Sequence, residues 1–267
     1  MPLAVGASPA TSSSVLIVLI ERIDISPPPG VDDVWPYTVP AVRQIASEGL
    51  RLTSPLTVLV GENGSGKSTL MEAIAEAWGI DPKGGRGKKR GRPAPGSLAA
   101  TIDLGYTPMG ARMHAGKGRS SSYFLRAESA LGLLEYVSSF ETIVPGYPQE
   151  DLRYLSHGEG YLALFREVFS RPGLYLLDEP ESALSFMSSL DLVVALRESA
   201  ANGAQVLCAT HSPIIASTPG AAILELDDDG IRPTTWDDLE LIAHWRKYLS
   251  APGAYLRHLI DEESAHS

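Results

Sequence analysis

The chain has 267 residues, a formal net charge of −10 and an apolar content of 44%. This length suits one large domain or two small ones, and the apolar content is ordinary for a soluble globular protein. The net negative charge excludes a protein that attracts nucleic acid over its whole surface. A local basic patch remains compatible with this charge.

The N-terminal region predicts a disordered segment followed by a buried strand. Residues 1–14 are rich in Ala, Ser, Pro and Gly, and residues 15–25 are mostly apolar. The apolar run is far shorter than the roughly 20 residues of a membrane-spanning helix, and no basic region precedes it. The single cysteine, Cys208, excludes an internal disulfide and suits a reducing compartment. We therefore expect a cytoplasmic protein without membrane insertion of its own.

The elements up to residue 126 alternate short apolar runs with polar loops. The pattern predicts a short helix over 41–48, two strands within 50–60 and a helix over 67–78. Residues 81–97 are rich in Gly, Pro, Lys and Arg, which predicts a flexible basic loop. Residues 98–104 and 122–126 predict strands around another glycine-rich stretch.

The second half of the chain alternates helices with continuous apolar strands. A helical pattern covers 127–140, and the stronger elements begin after residue 156. They are a helix over 158–169, a strand over 173–177, a helix over 181–200, strands over 204–210 and 222–226, and a helical tail over 235–262. This alternation predicts an α/β fold with a parallel sheet covered by helices.

The segment Gly-Glu-Asn-Gly-Ser-Gly-Lys-Ser, residues 61–68, fits the phosphate-binding pattern G-x-x-x-x-G-K-[ST]. Glycines let backbone N–H groups curl around phosphates, Lys67 adds a positive charge, and Ser68 offers a hydroxyl to Mg²⁺. The helix that follows adds its positive N-terminal end. The predicted nucleotide-binding residues are Gly61, Glu62, Asn63, Gly64, Ser65, Gly66, Lys67, Ser68 and Thr69.

Two acids, Asp178 and Glu179, end an apolar strand far downstream of the phosphate loop. Asp178 is predicted to hold Mg²⁺, directly or through water, and Glu179 to polarise the attacking water. The alternative interpretation is that the two acids belong to a solvated loop or cap a helix. The phosphate loop upstream favours the catalytic interpretation.

Two further motifs predict contacts to phosphate. His211, in Thr-His-Ser, follows the next buried strand and therefore lies at the sheet edge where ligands bind. Ser156 and Gly158 open a helix, where a hydroxyl and free backbone N–H groups form an anion site. The same residues also read as a capping box closed by Glu159, and the two interpretations are compatible.

The order of these four motifs resembles the ABC-class ATPases over roughly residues 15–260. The segment Phe-Leu-Arg-Ala-Glu-Ser, residues 124–129, and the tail at Trp236 and Asp237 are similar to small stand-alone ATPases related to SMC, RecF and OLD-type proteins. The resemblance implies an ATPase that uses ATP and Mg²⁺. It also implies a single domain over 15–267, with an ABC-type parallel sheet flanked by helices and an N-terminal antiparallel β subdomain.

The resemblance assigns roles to individual residues. Glu179 matches the catalytic base, His211 the switch histidine, and Lys67 the catalytic lysine of the phosphate loop. Ser156 and Gly158 match the signature that closes over the ATP of a second subunit. The implied working unit is a head-to-tail homodimer, which ATP holds together and hydrolysis releases.

The sequence also departs from the family pattern. The signature has His157 and Glu159 where Gly and Gln are usual, and no glutamine occurs between the phosphate loop and Tyr147. Glu128 is therefore the candidate metal ligand in place of the usual glutamine. Tyr37 is the candidate for stacking on adenine, with a core or loop position as the alternative.

Three functions are compatible with these motifs. The first is an ATP-driven enzyme that acts on nucleic acid or on a protein partner, and the second is the nucleotide-binding subunit of a membrane transporter, which the missing glutamine opposes. The third is a non-hydrolysing switch, opposed by the acid pair. If the protein binds DNA, the basic loop is the candidate contact, with a solvated flexible loop as the alternative. Its cations are Lys83, Arg86, Lys88, Lys89, Arg90 and Arg92.

Overall fold

The computed structural model describes residues 17–87, 93–116, 121–126, 157–182 and 184–257. The strands are β1 (Ile20–Ile25), β2 (Leu50–Arg51), β3 (Leu56–Gly61), β4 (Gly85–Arg86), β5 (Ile102–Tyr106), β6 (Tyr123–Arg126), β7 (Leu174–Asp178), β8 (Gln205–Thr210), β9 (Ala222–Asp227) and β10 (Gly230–Thr234). The helices are α1 (Pro40–Glu48), α2 (Lys67–Trp78), α3 (Pro108–Ala115), α4 (His157–Val168), α5 (Phe186–Ala201), α6 (Pro213–Ala216) and α7 (Glu240–Ser250).

The strands form two sheets. The larger has the order β10-β9-β3-β8-β7-β6-β4, in which the five central strands run parallel and the two edge strands are antiparallel. The smaller sheet is antiparallel, with the order β2-β1-β5. The predicted fold, a helix-flanked parallel sheet with an N-terminal antiparallel subdomain, is confirmed. In the described ranges no helix is long and apolar enough to cross a membrane.

The central strands are buried on both faces, which explains their continuous apolar sequences. Every residue of β7 is buried, and its side chains alternate between two cores because successive side chains of a strand point to opposite faces. Leu174 and Leu176 pack on the side of α2 and the smaller sheet, with Trp78 fully buried there. Tyr175 and Leu177 pack on the side of α4 and α5.

The carboxyl ends of β3, β7 and β8 meet at one edge of the larger sheet. In the parallel register, Val60 of β3 lies opposite Thr210 of β8, and Asp178 of β7 lies opposite Ala209. The loops that follow these three strands therefore start side by side. This register brings together the phosphate loop, the acid pair and His211, which are far apart in sequence.

Several predicted elements differ from the observed ones. The strand predicted over 98–104 begins only at Ile102, because a 3₁₀ helix covers Leu98–Thr101. The helix predicted from residue 181 begins at Phe186, where the Ser185 side chain accepts a hydrogen bond from the backbone N–H of Ser188. The glycine-rich stretch after β5 contains α3, which Thr107 caps through the N–H of Gly110.

The basic loop and the tail also differ from the prediction. Gly85 and Arg86, predicted to be flexible, form the edge strand β4 against β6. The helical tail is interrupted, with a 3₁₀ helix at Trp236–Asp238 before α7 and helical residues again at 252–257. The predicted disorder of 1–14 and the helical pattern of 127–140 lie outside the described residues.

A buried glutamine joins the two sheets. Gln205, at the start of β8, is fully buried, and its Oε1 accepts hydrogen bonds from the backbone N–H groups of Leu19 (2.8 Å) and Ile20 (2.7 Å). Its Nε2 donates to the carbonyl oxygen of Ile20 at 2.8 Å. One side chain thus satisfies three backbone groups at the start of β1, which have no access to water.

We expect Gln205→Leu to destabilise the fold by about 3 kcal/mol or more, because each buried polar group left unpaired costs roughly 1–3 kcal/mol. Urea unfolding measures this loss. Gln44→Leu is the matched control, since Gln44 makes similar bonds to Ile231 from a partly exposed position where water can replace them. An equal loss in both variants would contradict the bridging role of Gln205.

Candidate functional site

The phosphate loop is a tight turn between β3 and α2 that depends on its glycines. Gly64 and Gly66 have φ angles of +88° and +95°, in the left-handed region that favours glycine. A Cβ on Gly66 would lie 2.4 Å from Cγ1 of Val39, so the space also requires glycine. Helix α2 has no side-chain cap at Gly66. Its first N–H groups are therefore available to an anion.

Lys67 is only 4% exposed and bends back over the loop. Its Nζ donates hydrogen bonds to the carbonyl oxygens of Gly61 (2.6 Å) and Glu62 (2.8 Å). Burial lowers the pKa of Lys67, and the nearby carboxylates of Glu179 and Asp178 partly oppose this. The ammonium group is therefore poorly hydrated and close to where the loop would hold phosphate. Ser68 and Thr69 follow it in the first turn of α2.

Asp178 and Ser68 place two oxygen atoms together at the start of α2. The hydroxyl of Ser68 donates to Oδ1 of Asp178 at 3.2 Å. Asp178 is 6% exposed, and this burial raises its pKa, while the bond from Ser68 and the charge of Arg126 oppose the rise. A hydroxyl and a carboxylate oxygen fit Mg²⁺, which commonly binds through one or two carboxylates, water and substrate phosphates.

No three His, Cys, Asp or Glu side chains of the described residues are grouped to hold a metal ion alone. A Mg²⁺ ion at Ser68 and Asp178 would accordingly need phosphate oxygens and water to complete its coordination. Glu128, the predicted additional ligand, lies outside the described residues, and its metal role stays a prediction.

Glu179 has an unusual backbone conformation. Its φ is +51°, in a region that side chains other than glycine rarely adopt. Hydrogen bonds hold this conformation: its N–H donates to the carbonyl of Ala209 at 2.9 Å, and its own carbonyl accepts from the N–H (3.1 Å) and hydroxyl (2.7 Å) of Ser182. Such strain concentrates at functional sites. The turn places Glu179 directly after the carboxyl end of β7, with its side chain 37% exposed.

His211 lies directly against Glu179. Its Nε2 is 2.9 Å from Oε1 of Glu179, at ion-pair distance although the atoms are not aligned as a hydrogen bond. The two side chains are 32% and 37% exposed, so water reaches this part of the site. Ser212, the next residue, caps α6 by accepting hydrogen bonds from Ile214 and Ile215.

A third acid of the site, Glu181, was missed by the sequence reasoning. Its Oε1 accepts hydrogen bonds from the hydroxyl of Thr210 and from the backbone N–H of His211, the latter at 3.2 Å. Burial raises the pKa of Glu181, and these hydrogen bonds oppose the rise. The prediction placed this residue in a helix. The available signal was the second acid of Glu-Pro-Glu, directly after the strand.

One predicted site residue, Tyr37, is not brought to this edge. Tyr37 is 7% exposed within the hydrophobic core, and its hydroxyl donates to Oγ1 of Thr101 at 3.4 Å. The adenine-stacking role predicted for Tyr37 is therefore unsupported, and the alternative core position describes it. Ser156 lies outside the described residues, while Gly158 lies in the first turn of α4. The signature role of both residues stays a prediction.

A cavity of about 530 Å³ lies beside the phosphate loop. This volume falls within the roughly 300–1,000 Å³ of small-molecule sites. Its lining adds several acids to those of the site, so the negative charge of a bound triphosphate needs compensation from Lys67, backbone N–H groups and a cation. The lining residues outside the loop include His211, Glu225, Asp227, Asp228, Glu240 and His244.

Two family models match consecutive parts of the chain. One, described as an AAA domain, covers residues 41–103, which include the phosphate loop. The other covers residues 111–217, which include the acid pair and His211, and its description names an AAA domain and the AbiEii toxin of a type IV TA system. Between them, the matches cover the phosphate loop, Ser156 and Gly158, the acid pair and His211.

The chain is also similar to parts of larger proteins. It is 31% identical over 191 residues to an ABC transporter ATP-binding protein of Streptomyces avermitilis, covering 66% of this chain and 33% of that protein. It is 27% identical over 197 residues to the ATP-dependent permease PDR12 of Saccharomyces cerevisiae, covering 66% of this chain and 13% of the permease. The chain thus matches a third or less of the length of either relative.

Among solved structures, the SMC head domain from Thermotoga maritima is 18% identical with a TM-score of 0.43, covering 70% of this chain and 92% of the head domain. A dimeric bacterial ABC transporter cassette is also 18% identical, with a TM-score of 0.42, covering 72% of this chain and 90% of the cassette.

Proposed function

The chain is a P-loop ATP-binding domain of the ABC class, and from that premise we propose that it hydrolyses ATP to ADP and phosphate. The observation that carries the proposal is the meeting of three groups at one sheet edge. These are the phosphate loop with Lys67, the Ser68–Asp178 oxygen pair, and Glu179 beside His211. Such an arrangement binds phosphates, holds a cation and orients water.

The proposed mechanism assigns a task to each residue. The N–H groups of residues 61–68 and the ammonium of Lys67 bind the β- and γ-phosphates of ATP. Ser68 and Asp178 would hold Mg²⁺, which would neutralise charge on the phosphate oxygens when bound. The Glu179 carboxylate orients the attacking water and accepts its proton. His211 donates a hydrogen bond to the γ-phosphate.

The proposed working unit is a head-to-tail homodimer, in which Ser156 and Gly158 of one copy cover the ATP of the other. The exposure of Glu179 and His211 supports this arrangement, because an open site leaves the attacking water in contact with solvent. Covering the site excludes bulk water and strengthens the electrostatic interactions within it. The proposed location is the cytoplasm.

Phosphate release by the purified chain tests the proposal. With ATP and Mg²⁺ we expect continuous release of phosphate, and with EDTA we expect none, because Asp178 and Ser68 would lack the ion they hold. Tight ATP binding without phosphate release would instead identify a non-hydrolysing switch.

We propose two alternative classes of partner on which ATP hydrolysis acts. The first is nucleic acid or a protein partner, and the second is the membrane subunit of a transporter, which the similarity to an ABC transporter ATP-binding protein favours. Stimulation of hydrolysis by DNA, lost at high salt, would favour the first. Copurification with an integral membrane protein would favour the second.

A further inference from the structure

Glu181 is an acid at the site that the proposed mechanism leaves without a task. It belongs to the turn after β7, where its own carbonyl accepts a hydrogen bond from the N–H of Leu184 at 2.8 Å. Its side chain turns away from solvent toward the end of β8, and the residue is only partly exposed. Two residues earlier, the same turn presents Glu179.

A chain of hydrogen bonds connects Glu181 to three consecutive residues that begin with Thr210, the last residue of β8. The N–H of Ser212 donates to Oγ1 of Thr210 at 2.9 Å. Because that hydroxyl accepts this bond, its single proton is free to point at Oε1 of Glu181, and it does so. The N–H of His211 donates to the same oxygen at 3.2 Å. One carboxylate oxygen therefore holds the backbone of the segment 210–212.

The position is costly for a carboxylate. The second oxygen, Oε2, is buried without a hydrogen-bond partner among the described residues. A buried acceptor without a partner destabilises the folded state, and more so when it carries charge. A simple turn-capping role would be filled equally well by a residue with a single acceptor. The carboxylate of Glu181 therefore acts through its Oε1 atom, which accepts the hydrogen bonds from Thr210 and His211.

The geometry points to Glu181 as a positioning residue for His211. The turn of residues 179–182 carries both acids, so it aims Glu179 at the imidazole and, through Glu181, anchors the backbone from which that imidazole extends. The 2.9 Å approach of His211 to Glu179 depends on this shared turn. The inference rests on the proposed ATP hydrolysis, because a positioned His211 matters only where a γ-phosphate must be recognised.

Paired substitutions at both ends of the contact test the inference. Glu181→Ala removes the acceptor, whereas Glu181→Gln keeps an oxygen that can accept both hydrogen bonds. We expect kcat for ATP hydrolysis to fall roughly 10- to 100-fold in Glu181→Ala, since small misplacements of catalytic groups cost about that much. The KM for ATP should change less than about threefold, because the phosphate loop is untouched. Glu181→Gln should recover most of the rate.

Thr210 provides the second pair. Thr210→Val removes the hydroxyl while keeping the shape, and Thr210→Ser restores the hydroxyl. We expect Thr210→Val to lower kcat while leaving the KM for ATP nearly unchanged. The fall in kcat should be smaller than in Glu181→Ala, because the N–H of His211 still donates its hydrogen bond to Glu181. If Glu181→Ala fails to fold, the Thr210 pair decides. Glu198→Ala, an exposed acid on α5 away from the site, is the control for loss of an acid as such.

A readout that does not need hydrolysis separates this inference from the proposed function. The Hε1–Cε1 NMR cross peak of His211, assigned by its loss in His211→Gln, should move in Glu181→Ala and stay in place in Glu181→Gln. That result supports positioning even if the wild type releases no phosphate, which would reject only the proposed hydrolysis. An unmoved cross peak in Glu181→Ala, an unchanged kcat in that variant, or equal losses with Ala and Gln would overturn the inference.

Discussion

Glu179→Gln is expected to lower the rate of ATP hydrolysis by roughly 100- to 10,000-fold, the range that a positioned general base contributes. The amide matches the carboxylate in shape and keeps an oxygen beside His211, which lies 2.9 Å from Oε1 in the wild type. It cannot accept the proton of the attacking water. Because no hydrogen bond joins the Glu179 side chain to the phosphate loop among the described residues, the affinity for ATP should remain close to that of the wild type.

The same variant should accumulate as an ATP-bound dimer if the proposed homodimer forms. Hydrolysis releases the proposed dimer, so a protein that binds ATP and hydrolyses it very slowly should double its mass in light scattering with ATP and Mg²⁺, but not with ADP. Glu198→Gln, on the exposed face of α5, is the matched control for replacing an acid by its amide. An unchanged hydrolysis rate would reject Glu179 as the base, and a monomer with bound ATP would reject the dimer.

Lys67→Met is expected to weaken ATP binding roughly 10- to 100-fold. A hydrogen bond to a charged group contributes about 1.5–3 kcal/mol, and 1.4 kcal/mol corresponds to a tenfold change in affinity. Methionine fills the buried path of the lysine chain, which is 4% exposed, but offers no charge to phosphate. Calorimetric titration with ATP in the presence of Mg²⁺ measures the change.

Thermal unfolding without nucleotide shows whether the Lys67 variant is intact. Burial lowers the pKa of Lys67, so the folded state gains little from its charge, and Lys67→Met should melt close to the wild type. Lys67→Arg is the paired variant, because it keeps the charge in a planar group that fits poorly over the carbonyls of Gly61 and Glu62. Wild-type affinity in Lys67→Met would place the phosphates elsewhere.

Much of the fold was predictable because short, continuous stretches of the sequence specify these elements. Continuous apolar runs predicted the central parallel strands, and the glycine pattern with Lys67 predicted a strand, a tight turn and a helix over the observed residues 67–78. The acids at the end of β7 and the histidine after β8 were expected at one edge, since parallel strands end on the same side of a sheet. The structure places Asp178, Glu179 and His211 there.

Elements that depend on distant partners were not predictable in this way. Gly85 and Arg86 look like part of a flexible loop, and only pairing with β6 makes them a strand. Tyr37 has the spacing of an adenine contact, yet packing around it places it in the core. The start of α5 moved because the turn at 179–182 takes up the residues that the helical pattern had included.

The sequence by itself determined the class of the protein and the ATP-site motifs, because phosphate recognition requires particular residues at consecutive positions. Only the tertiary structure decided what joins the two sheets and what holds the segment 210–212. Gln205 reaches Leu19 across 186 positions of the chain, and Glu181 reaches His211 across 30. Contacts of this kind arise from strand order and register, which no local pattern specifies.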